Sequence, residues 1–294
     1  MILKNNDSKY VLFTAVKNEA NYIQKTIESV IIQSIKPQRW VIVSDSSTDA
    51  TDDIILKFSE NNNFIQYARY ENKSSEQMIA PRKVAAINFG ISFLKDIDYE
   101  FIGCVDGDVT FDSNYFEQLI SRMKTNSKLG LVGGYIYNVF ENGTGPFFTS
   151  PYSVGGPTQF FRKECFKEIG GYIPVAFEDA LANVCARMHG WKVRAFSDLI
   201  VYHHKPSGIK GRNIFKAKIN VGRLEHLTGD HPLYQFFRSF SYINQRPIIL
   251  SSFLRIIGYW MSVLMGEKIL TPKNIVRYLR KEQMKRFNIF KKFQ

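Results

Sequence analysis

The chain has 294 residues, 45% hydrophobic and 22% charged, with a net charge of +12. This is ordinary globular material with room for a sizeable core. Cys104, Cys165 and Cys185 fit neither a disulfide framework nor a zinc pattern, so a reducing compartment is expected. The opening MILKNNDSKY lacks the apolar core of a signal peptide, and no internal repeat or low-complexity tract is present. Chance sequons at Asn72 and Asn142 are therefore expected to stay unmodified.

Tyr10-Val16 is a β-rich apolar run and predicts the first strand. After the polar Lys17-Asn18-Glu19, residues Tyr22, Ile23, Ile27, Val30 and Ile31 recur at helical spacing, and Pro37 closes that helix. Trp40-Val43 predicts a second buried strand. It runs into Ser44-Asp45-Ser46-Ser47-Thr48-Asp49, where Ser47, Thr48 or Asp49 can cap a helix carrying Ile54, Ile55 and Phe58. Phe64-Tyr70 is a third strand, and Pro81-Leu94 a helix with Ala85, Ala86, Phe89 and Phe93 inward. Phe101-Val105 is a fourth strand, ending abruptly in Asp106-Gly107-Asp108. Strands alternating with helices at this spacing predict βαβ units, a mostly parallel sheet and the α/β class.

The second half is less regular. Leu129-Tyr137 predicts a strand, and Asn142-Pro157 a Gly/Pro-rich loop that covers a cleft. A short strand at Gln159-Phe161 and a short helix at Lys163-Ile169 follow, the latter stopped by Gly170-Gly171. Phe177-His189 is a helix, with strands at Lys192-Phe196 and Leu199-His203 after it. From about Gly211 the pattern is helical, which divides the chain into 1–210 and a helical C-terminal extension, 211–294. Lys205-Arg223, glycine-containing and basic, reads either as a flap closing over a diphosphate or as a surface linker.

Ligands of open α/β sheets gather past the carboxyl ends of the strands. Two carboxylates delivered there one residue apart suit Mg²⁺ or Mn²⁺, which bind a few carboxylates and use their remaining positions on water and phosphate. Asp-Gly alone is equally a turn signal. The basic tail adds a different chemistry, because nine Lys/Arg stand against two Glu from residue 267 to the end. Such a tail is drawn to polyanions. Ile248-Met265 is 18 residues long and mostly apolar, but Ser251, Arg255, Gly258 and Ser262 share one helical face. One polar stripe predicts an amphipathic helix lying in an interface, so a peripheral membrane contact through 248–292 is expected, with a soluble cap or dimer surface as the alternative.

Several stretches together resemble the family 2 glycosyltransferases, nucleotide-sugar enzymes with a GT-A fold, over roughly Tyr10 to Gly208. Ser44-Asp45-Ser46-Ser47-Thr48-Asp49-Ala50-Thr51 resembles the family's run D-D-G-S-T-D-G-T. The stretch from Arg82 to Gly90 resembles its K-A-x-A-L-N-x-G helix, and Asp106-Gly107-Asp108 its D-x-D. Ile169-Gly170-Gly171-Tyr172, Glu178-Asp179, Arg187, Gly190-Trp191 and Val201-Tyr202-His203-His204 resemble its later motifs. Ser44 departs from the first Asp of the family pair, Ser46 from its Gly, and Lys17 from the aromatic before Asn-Glu. These departures lie in the nucleoside-binding loops and leave the base preference open.

The resemblance implies a metal-dependent, inverting transferase that uses a nucleotide sugar, most often UDP-linked, and a glycan or lipid-linked acceptor. Asp179 would be the general base, with Glu178 orienting the acceptor, although two acids at a helix start are also dipole-friendly capping. Ala15, Glu19, Asp45, Arg82, Lys83 and Asp106 would hold the nucleotide. Glu19 serves equally well as a first-turn helix acid, Asp45 as part of a capping turn, and Arg82 and Lys83 as a solvated helix face. Asp106, Asp108 and His203 would hold Mn²⁺ or Mg²⁺. Register decides between His203 and His204, since side chains alternate along a strand. Arg187 reads as structural support, and Trp191 as core. The implied location is cytoplasmic, on the membrane face, and the oligomeric state stays open. A polyanion- or nucleic-acid-binding protein and a sugar nucleotidyltransferase are the competing classes. The first lacks aromatic stacking positions among its basic helices, so no nucleic-acid partner is expected. The second lacks a glycine-rich fingerprint after the first strand.

Overall fold

The computed structural model describes residues 8–71, 82–205, 213–243 and 247–290, with side chains to 286. The sequon at Asn72, the expected helix start at Pro81 and the stretch 206–212 lie outside the described residues. The chain divides into two compact units. One comprises Met1–Pro174 and Glu178–Pro206; the other comprises Val175–Phe177 and Ser207–Gln294.

In the first unit, β1 (Tyr10–Val16), β2 (Arg39–Asp45), β3 (Ile65–Tyr70) and β4 (Phe101–Val105) pair in parallel in the order β3-β2-β1-β4. β1, β4 and the middle of β2 read as apolar runs because both of their faces are covered, whereas β3, at the sheet edge, carries Gln66 and an exposed Arg69. Tyr10, Leu12, Trp40 and Ile42 join one core with Ile23 and Ile27 of α1 (Ile23–Ile31) and with Phe116 and Leu119 of α4 (Tyr115–Thr125). Phe13 points the other way, its ring 6.1 Å from Phe166 of α5 (Lys163–Glu168). Val41 and Val43 pack on Gly90 of α3 (Arg82–Ser92).

The sheet continues from β4 through β8 (Thr158–Arg162), β6 (Leu129–Phe140) and β9 (Lys192–His203) to β5 (Val109–Phe111). β8 is antiparallel to β4 and β6, β9 runs parallel to β6, and β5 returns antiparallel to β9. The result is a mixed α/β sheet with a parallel N-terminal half and helices on both faces.

Several expectations change. The sequence reading assigns no element between Phe111 and Leu129, where α4 lies. The expected loop at 142–157 contains β7 (Gly143–Phe148), which extends the sheet as an exposed hairpin with β6. The two predicted strands near 192 and 203 are one, β9, whose register against β6 shifts between Gly134 and Tyr135. In α3 the buried side is Val84, Ala86, Ile87 and Gly90, whereas Phe93 is exposed and Phe89 packs on Tyr70 with ring centroids 5.4 Å apart. None of the three candidate caps holds the N-cap of α2 (Thr51–Asn61), which is Ala50; Asp49, one residue earlier, accepts from the Thr51 N–H through its Oδ1 at 3.1 Å.

The second unit holds α7 (Ile214–Thr228), α8 (Pro232–Phe240), α9 (Leu250–Leu264) and α10 (Lys273–Phe290). Residues 214–223 of the expected flap are the first turns of α7, fixed by Asn213, whose Oδ1 accepts from the Phe215 and Lys216 N–H groups. The polar stripe of α9 forms as a stripe but faces inward: Ser251, Arg255, Gly258 and Ser262 are all buried. Amphipathic spacing decides which residues share a face, not which face meets water.

Candidate active site

The carboxyl ends of β1, β2 and β4 open into a cavity of about 490 Å³. Its walls include Ala15, Glu19, Asp45, Arg82, Lys83 and Asp106, all six residues expected at the nucleotide, together with Asp108. Each arrives for a local reason. Ala15 and Asp45 end or nearly end their strands, Arg82 and Lys83 begin α3, and Asp106 and Asp108 occupy the turn between β4 and β5.

The loops after β1 and β2 are stitched together. Asn18 Oδ1 accepts from the Thr48 N–H at 2.8 Å, and the Asn18 N–H donates to Ser47 Oγ at 3.1 Å. The Glu19 N–H donates to Thr51 Oγ1 at 2.8 Å, and the Ala20 N–H to Asp49 Oδ2 at 3.2 Å. Ser46, which stands where the family pattern has Gly, is left-handed at φ 52°. Its hydroxyl donates to the Tyr70 carbonyl at 3.1 Å, a bond that helps hold a backbone shape Gly would adopt freely. Ser44 is fully buried and donates to Ser47 Oγ at 2.9 Å, so it braces the loop from within.

Charge in the cavity is closely matched. Lys83 Nζ lies 2.7 Å from Asp106 Oδ1, and Lys205 Nζ 2.6 Å from Glu19 Oε1. Lys17 and Arg82 each approach Asp45 Oδ2 at 3.9 Å. Cations at a helix start oppose the dipole, and these carboxylates account for the two at the start of α3. Burial works to lower the Lys83 pKa, but Asp106, with Cys104 and Glu178 behind it, outweighs burial and raises it. Glu19 moves up through burial, against the pull of Lys205. Glu19 Oε2, Asp45 Oδ1 and Asp108 Oδ1 are buried without a hydrogen-bond partner, which is costly for carboxylate oxygens and points to an absent donor or cation.

The expected metal set is not gathered whole. Among the described residues no group of three His, Cys, Asp or Glu is arranged to hold a metal ion. Asp106 is turned onto Lys83, while His203 meets Asp108, its Nε2 lying 3.3 Å from Asp108 Oδ2. Register selects His203, because it pairs with Val109 next to Asp108. His204 instead bonds Thr110 Oγ1 at 2.8 Å. His203 Nδ1 lies 2.9 Å from Asn138 Oδ1, an oxygen that only accepts, which suits the tautomer protonated at Nδ1. In the neutral ring the Nε2 lone pair then faces a carboxylate, two acceptors that need a cation or a proton between them. Together with the orphaned Asp108 Oδ1, this pair fits a hard divalent ion.

Glu178 and Asp179 open α6 (Glu178–Met188). Asp179 Oδ2 accepts from the Gly156 N–H at 3.0 Å, and the neighbouring Pro157 carbonyl accepts from the Asp106 N–H at 3.0 Å. Those two bonds tie Asp179 to the acidic turn. A Cβ at position 156 would come within 2.9 Å of Asp179 Oδ2, so Gly156 makes the seat for this carboxylate. Burial raises the pKa of both acids, and Lys83 opposes it in each. Arg187 donates to the Tyr152 carbonyl at 3.1 Å, as a support does. Trp191 is only half-buried, its indole N–H donating to Glu168 at 2.7 Å, so it is not core. Asn138 and Gly156 are the site residues that the sequence reading misses. Neither carries a local signal, since one depends on strand register and the other on a loop meeting a helix.

The fold is that of the GT-A glycosyltransferases. The mannosyltransferase PcManGT from Pyrobaculum calidifontis, solved with GDP-Man and Mn²⁺, aligns with 93% of this chain and 79% of its own at a TM-score of 0.54 and 14% identity. Staphylococcus aureus TarS, solved with UDP-GlcNAc, aligns with 87% of this chain and 73% of its own at a TM-score of 0.55 and 15% identity. The chain belongs to glycosyl transferase family 2, whose model matches residues 12–177. Poly-beta-1,6-N-acetyl-D-glucosamine synthase of Staphylococcus aureus is 32% identical over 120 residues, 41% of this chain. That match spans 26% of the synthase, about a quarter of its length.

Proposed function

We propose that the protein is a metal-dependent, inverting glycosyltransferase that moves a sugar from a nucleoside diphosphate, UDP favoured, to a hydroxyl of a glycan or lipid-linked acceptor. In this reading residues 1–210 are the transferase domain and 211–294 a helical extension. The observation that carries it is the cavity joining Asp45, Arg82, Lys83, Asp106 and Asp108, with Asp179 bonded to a loop that also holds Asp106. UDP-GlcNAc in TarS supports a UDP donor, and GDP-Man in PcManGT is the competing choice.

Asp45, with one buried oxygen unpartnered, accepts from the base or the ribose. Lys83 and Arg82 face the diphosphate, and Lys83 has a carboxylate partner to exchange for it. Asp179 takes the proton of the acceptor hydroxyl as that oxygen attacks the anomeric carbon. The bond to the diphosphate breaks on the opposite face, so the configuration inverts. Burial raises the basicity of Asp179, which favours the transfer. Glu178 orients the acceptor. Asp108 and His203, beside Asp106, would hold Mn²⁺ or Mg²⁺, which supplies electrostatic stabilisation of the leaving diphosphate.

Thermal shift with UDP, GDP, dTDP and CMP, each with and without Mn²⁺, tests this reading. The expected result is stabilisation by UDP that needs Mn²⁺ and disappears in Asp108→Ala. Silence with every nucleotide would remove the diphosphate site. Stabilisation by GDP alone would keep the site and overturn the UDP preference.

A further inference from the structure

The second unit has its polarity reversed. In α9 the buried face includes Ser251, Ser252, Arg255 and Ser262, while Phe253, Ile257, Trp260, Met261 and Leu264 are exposed, Leu264 by 84%. In α8 the buried residues are Gln235 and Ser239, while Leu233, Phe236, Phe237 and Phe240 are exposed. Ile243, Ile248 and Ile249, on the link between these helices, are exposed as well. Scattered apolar residues on a surface need no explanation, but two adjacent helices both turned apolar side out do.

The interior is rich in polar groups, several of them paired, with Ser251 Oγ, Ser252 Oγ and Arg255 Nε buried without a hydrogen-bond partner. Arg255 forms an ion pair with Glu225 and lies 3.7 Å over the Tyr242 ring. Gln235 Nε2 donates to Glu225 Oε2 at 3.1 Å, and His226 Nδ1 lies 2.7 Å from Ser262 Oγ. The backbones of α7 and α9 touch where they cross, since a Cβ at Gly222 would overlap the Arg255 carbonyl and one at Gly258 the Ile219 carbonyl. In water this arrangement wastes the apolar surface. Against lipid it is the favourable one: polar groups pair between helices, small residues let backbones meet, and apolar faces turn outward.

The helices do not span. α9 has 15 residues, roughly 22 Å at about 1.5 Å per residue, short of a hydrocarbon core of about 30 Å. No helix among the described residues is long and apolar enough to cross a membrane. The charge selects the kind of surface. Residues 213 to 290 contain thirteen Lys/Arg and four Asp/Glu. Of the acids, Glu225 and Asp230 are buried and Glu267 is bonded by Arg223. Lys273, Arg277, Lys281 and Lys285 are exposed at four-residue spacing along α10. A second copy on this face would bring the same positive charge against itself, whereas anionic headgroups complement it.

We propose that the outer faces of α8 and α9 lie in the interfacial layer of an anionic lipid bilayer, with the basic side of α10 drawn to the headgroups. The test is co-flotation of the full chain with phosphatidylcholine vesicles, with and without phosphatidylglycerol. The expected result is salt-sensitive binding that requires phosphatidylglycerol. Phe253→Ser with Leu264→Ser should weaken it about a hundredfold, as loss of two buried apolar side chains would. The melting temperature should hold, because both side chains point outward. Brominated lipid should quench tryptophan emission in the wild type and not in Trp260→Phe, which keeps an apolar ring and serves if the double variant misfolds. Absence of vesicle binding, unchanged binding by the double variant, or a stable dimer that the double variant dissociates would each overturn the proposal.

Discussion

In the first unit Trp40, Phe101 and Phe160 are sealed from water, and charge collects at one end of the sheet. In the second, Glu225 and Arg255 are sealed, and Phe253, Trp260 and Leu264 stand outside. The same residue types are thus used in opposite senses. The sheet unit gains stability from apolar area removed from water, which leaves its carboxylates for chemistry. The helical unit buries polar pairs such as Glu225 with Arg255, which are expensive to leave half made. Removing a carboxylate should therefore damage activity in one unit and stability in the other.

Asp179→Asn tests the first half of that contrast and carries the largest effect. Turnover should fall by about 10² to 10⁴, the usual contribution of a positioned base. The nucleotide-dependent thermal shift should survive, because the Asn oxygen still accepts from Gly156. Retention of full turnover would take the proton-accepting role away from Asp179. Glu225→Ala tests the second half. Leaving Arg255 buried and single should cost about 3–5 kcal/mol in urea unfolding. Adding Arg255→Met should recover most of the loss, and a single-variant cost below about 1 kcal/mol would mean that the pair does not hold the unit.

A smaller effect separates the units by pH. Burial pushes Asp230 up to about 6, with Glu225 adding to the rise and Arg238 and Gln283 opposing it. Its folded pKa exceeds its unfolded value of 3.8, so the native state holds the proton longer. The resulting stabilisation is complete below about pH 4 and is lost as pH rises towards 6, at about 1.4 kcal/mol per pH unit where the two forms differ fully. Urea midpoints of wild type and Asp230→Asn across this range should diverge with that sign. Parallel curves would show that Asp230 does not titrate abnormally.

How far the sequence could be read follows the same division. β1, β2 and β4 are legible because strands covered on both faces are largely apolar, and the acidic turn is legible because it ends one of them. α4 was legible too, with Phe116, Leu119, Ile120 and Met123 at helical spacing, yet the reading leaves it out. The contacts of Asn138 with His203 and of Gly156 with Asp179 were not, since each joins residues brought together only by sheet order or by a long loop. The inward stripe of α9 was hidden for another reason. Spacing shows which residues share a helix face, not which neighbour that face meets.

The stitching between the loops after β1 and β2 has a consequence for how donor choice can change. Asn18, Ser47, Thr48, Asp49 and Thr51 share their bonds, so none of them can be exchanged without disturbing a neighbour's partner. Residues in one network do not contribute additively. Under the proposed nucleotide role, an altered nucleoside preference would require coordinated replacement on both loops. The two segments, thirty residues apart in the chain, form one hydrogen-bonded unit.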